Sequence, residues 1–464
     1  LGVEICEDLW AALPPSTRLA DCGATILCNL SASDEAVTKP DFRRLLVQSQ
    51  STRTGSAYVF SSAGEGESTT DVVFSGHDMI CENGVFVTEA APFTSGYCVT
   101  EVDLTFLSRE RRRFARKLFS NADIVRIPFS TKVTETKLTR IVWKTPFVPD
   151  DAAMCASRCE QVLDIQANAL KRRIMHTRVK KLVVGVSGGV DSTLALIVCR
   201  NALALLGRPS SDVLAVTMPC FGTSDRTKSN AVLLCEALDV PVRTIDIGES
   251  VKKHLADIGH PFELHDAAFE NAQARERTQV LMDLANMHAG FVVGTGDLSE
   301  LALGFATYCG DHMSMYGVNA DVPKTLIRSI LRNIAAKSGP ELAGVLLDIV
   351  DTPISPELLP GKDGAIAQRT EDLIGPYELH DFFLYHLLRR GADKRKILRL
   401  AKYAFGDDYD EATIAHWYDL FIRRFFSQQF KRSCIPDGPR IGNVALSPRG
   451  DWRMPSDADP QAFR

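Results

Sequence analysis

Gly185-Val-Ser-Gly-Gly-Val-Asp-Ser192 follows the apolar run Leu182-Val-Val184 and precedes Thr193-Leu-Ala-Leu-Ile-Val198. β-branched residues before the octet and a helix-like run after it predict a strand, a glycine-rich turn and a helix. Such a turn aims backbone N–H groups of a helix N-terminus at one point, where they can hold phosphate. Gly188 and Gly189 have no Cβ, so the backbone can approach an anion closely and adopt positive φ. Ser187 and Ser192 add hydroxyl donors. Asp191 adds a carboxylate beside the phosphates, which calls for a divalent cation between them. The plain alternative is a strand–helix turn with no ligand.

Working outward, residues 151–330 alternate helix and strand. The expected order is helix 152–176, the strand before the octet, strand 213–218, helix 228–238, strand 242–247, helix 272–288 and strand 291–294. This is the pattern of an α/β fold with a doubly wound parallel sheet. Residues 1–110 carry short β-type runs at 24–29, 57–61, 78–81, 84–88 and 99–102, with one helix-like stretch at 42–54. That half reads as strand-rich, like a sandwich of sheets. Between them the chain is basic, then punctuated by Pro128, Pro146 and Pro149, as in a linker or arm. The cluster Arg109-Glu-Arg-Arg-Arg113 reads as a solvated helix face. The expected domains are 1–110, an arm over 111–150, and 151–464 with a helical C-terminal extension.

The chain has 464 residues, 45% hydrophobic and 24% charged, as in an ordinary globular protein of two or three domains. A net charge of −5 argues against a general nucleic-acid surface. No apolar run reaches the ~18 residues of a membrane helix. Twelve cysteines are scattered without a framework. Cys155 and Cys159 have no second pair to complete a zinc site, so free thiols in a reducing cytoplasm are expected. The sequence opens at Leu1 in strand-like residues and reads as beginning inside a domain.

Ser187-Gly-Gly-Val-Asp-Ser192 is neither a Walker loop, which needs a Lys, nor Gly-x-Gly-x-x-Gly. It resembles the pyrophosphate loop of the N-type ATP pyrophosphatases, which break ATP between its α and β phosphates and adenylate a substrate. Ligands of such sheets bind at the carboxyl ends of the strands. One such end carries Thr295-Gly-Asp-Leu-Ser-Glu300, which places Glu300 one turn into a helix. Asp191 and Glu300 together offer hard oxygens to Mg²⁺. A capping box is the plain reading of Thr295 to Glu300.

Thr295-Gly-Asp-Leu-Ser-Glu-Leu-Ala-Leu-Gly-Phe-Ala-Thr-Tyr308, Val322-Pro-Lys-Thr325, Ile354-Ser-Pro-Glu-Leu358 and Gln429-Phe-Lys-Arg-Ser433 follow the phosphate loop. Together they closely resemble the NAD synthetase family in its glutamine-dependent, two-domain form. The resemblance implies ATP-dependent amidation of deamido-NAD through an adenylate, with release of pyrophosphate and AMP. By motif match Gly185, Val186, Ser187, Gly188, Gly189, Val190, Asp191, Ser192, Thr295, Lys324 and Ser355 would bind ATP. Asn271, Glu300, Phe305 and Lys431 would bind deamido-NAD, with Phe305 stacking on the nicotinate ring. Asp191 and Glu300 would hold Mg²⁺. A homo-oligomer is also implied.

Val3-Glu-Ile-Cys6-Glu-Asp-Leu-Trp10 resembles the nucleophile strand of nitrilase-fold amidases. That resemblance implies a truncated nitrilase-like α-β-β-α sandwich with Cys6 as nucleophile on glutamine. Cysteine suits this role because part of it is thiolate at neutral pH. Ser33 and Lys39 match glutamine-binding positions, Lys39 where an Arg is common. The family's Glu base and Lys lie upstream of the nucleophile, and neither is assigned here. The alternative is a synthetase driven by free ammonia alone. GMP synthetase, asparagine synthetase and tRNA-modifying ligases share the phosphate loop. The acidic charge and the lack of Cys-x-x-Cys pairs argue against the tRNA enzymes, and the Glu-Ile-Cys-Glu-Asp strand argues against GMP synthetase. A non-catalytic nucleotide-binding subunit is disfavoured because Asp191, Glu300 and Lys324 are all present.

Overall fold

The computed structural model describes residues 1–67, 71–113, 119, 124–221, 225–354, 358 and 370–463. The chain divides into two compact units, Leu1–Val142 with Arg390–Ala392, and Trp143–Arg389 with Asp393–Arg464.

In the first unit β1 (Gly2–Ile5), β2 (Ile26–Ser31), β3 (Ala57–Ser62), β4 (Met79–Glu82) and β5 (Val85–Glu89) form one sheet in sequence order. β1, β2 and β3 run parallel, and β4 and β5 are antiparallel additions. α1 (Pro15–Asp21) and α2 (Lys39–Thr54) accompany one face, where Leu27, Tyr58, Phe60 and Met79 pack with Val47. α3 (Leu104–Arg113) covers part of the other face through Phe106 and Leu107 against Ala57. Further along that face Val3, Ile5 and Leu30 are exposed. The strand expected at 99–102 does not form. Its surroundings bond through side chains instead: Asp103 N donates to Glu82 Oε1 at 2.7 Å, and Thr139 N donates to Glu101 Oε1 at 3.0 Å. The basic cluster is not a purely solvated face either. Arg111 donates to the carbonyls of Ala20 and Ala24.

The second unit follows the expected alternation. α4 (Ala152–Thr177), β6 (Leu182–Gly185), α5 (Val190–Ala204), β7 (Val213–Thr217), α6 (Asp225–Ala237) and β8 (Val242–Thr244) come first. α7 (Gly248–Asp257), α8 (Ala267–Met287), β9 (Phe291–Gly294), α9 (Leu298–Leu303) and β10 (Tyr316–Gly317) follow. α7 was not expected. It forms because Val251 and Leu255, four residues apart, share one buried stripe. The remainder is helical: α10 (Lys324–Lys337), α11 (Pro340–Asp351), α12 (Thr370–Ile374), α13 (Tyr377–Leu384), α14 (Lys394–Phe405), α15 (Glu411–Ser427) and α16 (Gln429–Arg432).

The sheet order is β10-β9-β6-β7-β8, with every pairing parallel. Both faces are covered, which explains why these strands read as unbroken apolar runs rather than alternating ones. Leu182 and Val184 point into one core with Val213, Ala215 and Val293, while Val183 points into the other with Val216 and Val292. From β6 the chain winds outward to β7 and β8, then returns to the opposite side at β9. The order therefore reverses between β6 and β9, and the crevice for a ligand opens at their carboxyl ends.

Candidate functional site

Both segments singled out by the sequence leave the sheet at that reversal. After β6, Gly188 takes φ +87°, a conformation open to glycine at little steric cost. Gly189 does not share it; at φ −92° it is the N-cap of α5. The turn is held from within. Ser187 N donates to Ser192 Oγ at 3.2 Å, Gly189 N to Ser187 Oγ at 3.3 Å, and Thr193 Oγ1 to Gly189 O at 2.8 Å. Asp191 thereby sits in the first turn of α5, next to the donors of the helix terminus.

After β9, Asp297 caps α9. Its side chain accepts from Glu300 N at 2.7 Å, and Glu300 Oε2 accepts from Asp297 N at 3.4 Å. The capping box forms with Asp297 at its head rather than a Thr or Ser, and it does not compete with a site. Glu300 Oε1 remains free of the cap and faces Lys324.

Lys324 is the centre of the arrangement. It opens α10 after Pro323, and its side chain is 1% exposed. Its Nζ lies 2.7 Å from Asp191 Oδ2, 2.7 Å from Asp297 Oδ2 and 3.0 Å from Glu300 Oε1. The Tyr377 ring lies beneath it, 5.1 Å away. Burial alone would discharge the ammonium, but the three carboxylates hold its pKa well above the usual lysine range. Burial raises the Asp297 carboxyl and pushes Glu300 up to about 7, with Asp191 adding repulsion and Lys324 opposing both shifts. Among the described residues, carboxylate oxygens of Asp191, Asp297 and Glu300 lie within 4.8 Å of one another, a spacing that suits one metal ion. Asp297 was not singled out in the sequence, although it lies between Thr295 and Glu300.

Other residues missed by the sequence hold this set in place. Asn319 Nδ2 donates to Asp191 O at 2.9 Å and to Thr295 O at 3.1 Å, so one amide ties the glycine-rich turn to the end of β9. Gln166, from α4, donates to Asn319 Oδ1 and to Val318 O, each at 3.0 Å. Ser299 Oγ accepts from Lys324 N at 2.9 Å, and the buried Asp381 of α13 accepts from Thr325 N at 3.0 Å. No motif could reveal these pairs, because they join distant segments.

A small cleft opens beside Glu300, lined by Gly294, Gly296, Ala306, Asp311 and His312 among others. Phe305 is half-buried nearby, with the Arg424 guanidinium 5.5 Å from its ring centroid. Lys431 Nζ donates to Gly304 O at 2.8 Å and Ala306 O at 2.6 Å, which flank Phe305. In this state the Lys431 cation is held by backbone carbonyls. Asn271 Oδ1 accepts from Thr307 Oγ1 at 2.7 Å. Ser355 lies outside the described residues.

In the first unit, Cys6 follows β1 with φ +50°. A non-glycine residue in the left-handed region is strained and marks a position fixed by its surroundings. Asn29 does the fixing: Cys6 N donates to its Oδ1 at 3.1 Å, and its Nδ2 donates back to Cys6 O at 3.3 Å. β1 and β2 are parallel neighbours, so the segments carrying Cys6 and Ser33 leave the same edge of the sheet. Lys39 pairs with Asp34, and its Nζ lies 5.7 Å from the Trp10 ring centroid. Ser33 is buried and accepts from Arg43 Nη2 at 3.2 Å. Arg43, fully buried, was not anticipated. Its Nη1 donates to His77 Nδ1 at 2.9 Å, which leaves the ring proton on Nε2 to meet Glu89 Oε1 at 2.7 Å.

None of the twelve cysteines forms a disulfide. Among the described residues no helix is long and apolar enough to cross a membrane.

The NAD synthase family matches residues 162–410. A glutamine-dependent NAD(+) synthetase of Mycobacterium leprae (strain TN) is 44% identical over 98% of this chain and 72% of its own length. A protein of the same description from Thermotoga maritima is 28% identical over 98% of this chain and 74% of its own. The crystal structure of a glutamine-dependent NAD(+) synthetase from Cytophaga hutchinsonii superposes with TM-score 0.54 at 19% identity, covering 99% of this chain and 71% of that one, and shares its fold. At that level of identity and coverage, the chain belongs to the glutamine-dependent NAD(+) synthetase family.

Proposed function

We infer that this chain amidates deamido-NAD to NAD at the expense of ATP, using ammonia released from glutamine. One observation carries the reading. The phosphate turn of Ser187 to Ser192 and the carboxylates of Asp191, Asp297 and Glu300 converge on the buried Lys324 at the reversal point of the sheet.

A carboxylate is a poor electrophile until its oxygen becomes a leaving group. An oxygen of the nicotinate carboxylate therefore attacks the α-phosphorus of ATP, and the bond to pyrophosphate breaks. Ammonia then attacks the acyl carbon, loses a proton, and expels AMP. Backbone N–H groups of the turn, the Ser187 and Ser192 hydroxyls and the N-terminus of α5 bind the phosphates and need not reorient as charge develops. Lys324 gives the leaving pyrophosphate a compact cation. Thr295 and Ser355 complete the ATP contacts. Asn271, Glu300, Phe305 and Lys431 orient deamido-NAD, with Phe305 against the nicotinate ring.

The donor set fits a small divalent cation. It is all oxygen, and Asp191 Oδ1 is buried with no hydrogen-bond partner. Asp191 and Glu300, with Asp297 as a third ligand, would hold Mg²⁺, which supplies charge neutralisation for the departing pyrophosphate when bound. In the first unit Cys6 Sγ attacks the side-chain amide carbon of glutamine, the C–N bond breaks, the thiol's proton passes to the leaving nitrogen, and ammonia departs; water then hydrolyses the thioester to glutamate and frees Cys6, with Ser33 and Lys39 holding the amino acid. The curated relatives are glutamine-dependent, which favours this reading over a purely ammonia-driven enzyme. A homo-oligomer in the cytoplasm is the expected setting.

The test follows NAD and pyrophosphate from deamido-NAD, ATP and Mg²⁺, with ammonium and with glutamine as separate donors. Formation of both products with either donor is expected. Neither product with ammonium would overturn the synthetase reading.

A further inference from the structure

We propose that Lys324 is the resident counter-cation of the carboxylate site and that it must leave this position for a divalent ion to enter, which makes metal and nucleotide bind as a coupled pair. The proposal rests on reading Asp191, Asp297 and Glu300 as divalent-ion ligands.

The geometry leaves room for one cation at a time. One carboxylate oxygen each of Asp191, Asp297 and Glu300 lies within 4.8 Å of the others, and the Lys324 ammonium stands 2.7 Å from Asp191 Oδ2, 2.7 Å from Asp297 Oδ2 and 3.0 Å from Glu300 Oε1. A divalent ion needs carboxylate oxygens at about 2.0–2.6 Å, so it would claim the place Nζ now fills. Like charges cannot share it.

Only the side chain has to move. Lys324 N is fixed by Ser299 Oγ at 2.9 Å, and the next residue, Thr325, is fixed through N and Oγ1 by Asp381 at 3.0 and 2.7 Å. The four-carbon stem is flexible while its root is pinned. Its exit has a direction, because Asp191 belongs to the phosphate turn itself. An ammonium leaving the carboxylates meets phosphate oxygens there if a nucleotide is bound.

The charges explain why neither ligand binds well alone. A metal ion without nucleotide strands the Lys324 ammonium in a buried place with no anion. A nucleotide without metal sets phosphate against Asp191 and Glu300. Together they give every charge an opposite partner: carboxylates to the metal, ammonium to the phosphates. Coupling of this kind is reciprocal.

Mn²⁺ serves as probe, its free concentration read by electron paramagnetic resonance on the full chain. Lys324→Met removes the ammonium and keeps the stem. Without nucleotide, K324M is expected to bind Mn²⁺ about 10-fold or more tighter than wild type, a size typical of coupled sites. Equal or weaker binding by the variant would overturn the proposal while leaving the metal site intact. Mn²⁺ bound by neither form, with or without α,β-methylene-ATP, would overturn the metal-site reading too. Should K324M not fold, wild type decides. Saturating α,β-methylene-ATP must tighten Mn²⁺ retention about 10-fold beyond the analogue's own hold on the ion, and a merely additive result counts against the proposal.

Discussion

Glu300 divides its contacts between its two oxygens: Oε2 closes a capping box while Oε1 meets Lys324. A residue can satisfy the plainer reading of its motif and still belong to a site. Asp321 is a second buried acid, and its titration predicts a pH effect. Its Oδ2 accepts from Ile441 N at 2.6 Å and Gly442 N at 2.7 Å, while Oδ1 is buried without a partner. Burial pushes this carboxyl up to about 7, whereas an unfolded chain releases the proton near 4. Between those values the folded chain holds a proton that the unfolded chain has lost. The resulting stabilisation is fully present below about pH 4 and disappears as pH rises through about 7. Asp321→Asn should therefore flatten the fall in stability from pH 5 to pH 8, by about 1–2 kcal/mol against wild type in urea unfolding. Parallel curves for the two proteins would refute this.

At the scale of elements, the short α9 and the first turn of α5 carry the carboxylates, and the link between them is a side chain rather than a strand pair. Asn319 bonds the Asp191 and Thr295 carbonyls, with Gln166 of α4 orienting its amide. Removing it takes one donor from each of these partly buried carbonyls, a loss of about 1–3 kcal/mol for the two bonds. Asn319→Ala should raise the KM for ATP about 10-fold or more through a displaced phosphate turn. The ammonium-dependent assay checks this, and an unchanged KM beside a lowered melting temperature would reduce Asn319 to a structural role. The octet, the surrounding alternation and β9 with its exit were legible because each is a local pattern. Asn319 was not, since its partners are 128 and 24 residues away. The strand expected at 99–102 failed for a related reason: tertiary side-chain bonds claimed its neighbours.

At the scale of the whole molecule, the two proposed chemistries fall in two compact units, one with Cys6 and the other with Lys324. They should be separable by one substitution. Cys6→Ala is expected to cut glutamine-supported NAD formation by about 1,000-fold or more, because no other group replaces the thiolate. Ammonium-supported formation should stay within about 2-fold of wild type, since Cys6 makes no contribution to adenylation. Comparable loss with both donors would show that the substitution damages the synthetase unit as well.

The doubly wound sheet, the glycine-rich turn into α5, the positions of Asp191 and Glu300 beyond β6 and β9, and the strand that leads to Cys6 were all readable from the chain alone. Each is written in residues close together, where periodicity, glycine placement and capping act directly. Packing in three dimensions is what brings Asp297 into the carboxylate set, sets Lys324 among all three acids, and holds Lys431 on backbone carbonyls. Those outcomes depend on packing between segments far apart in the chain. There a buried ammonium is stable only where enough carboxylates converge, and local spacing does not encode that convergence.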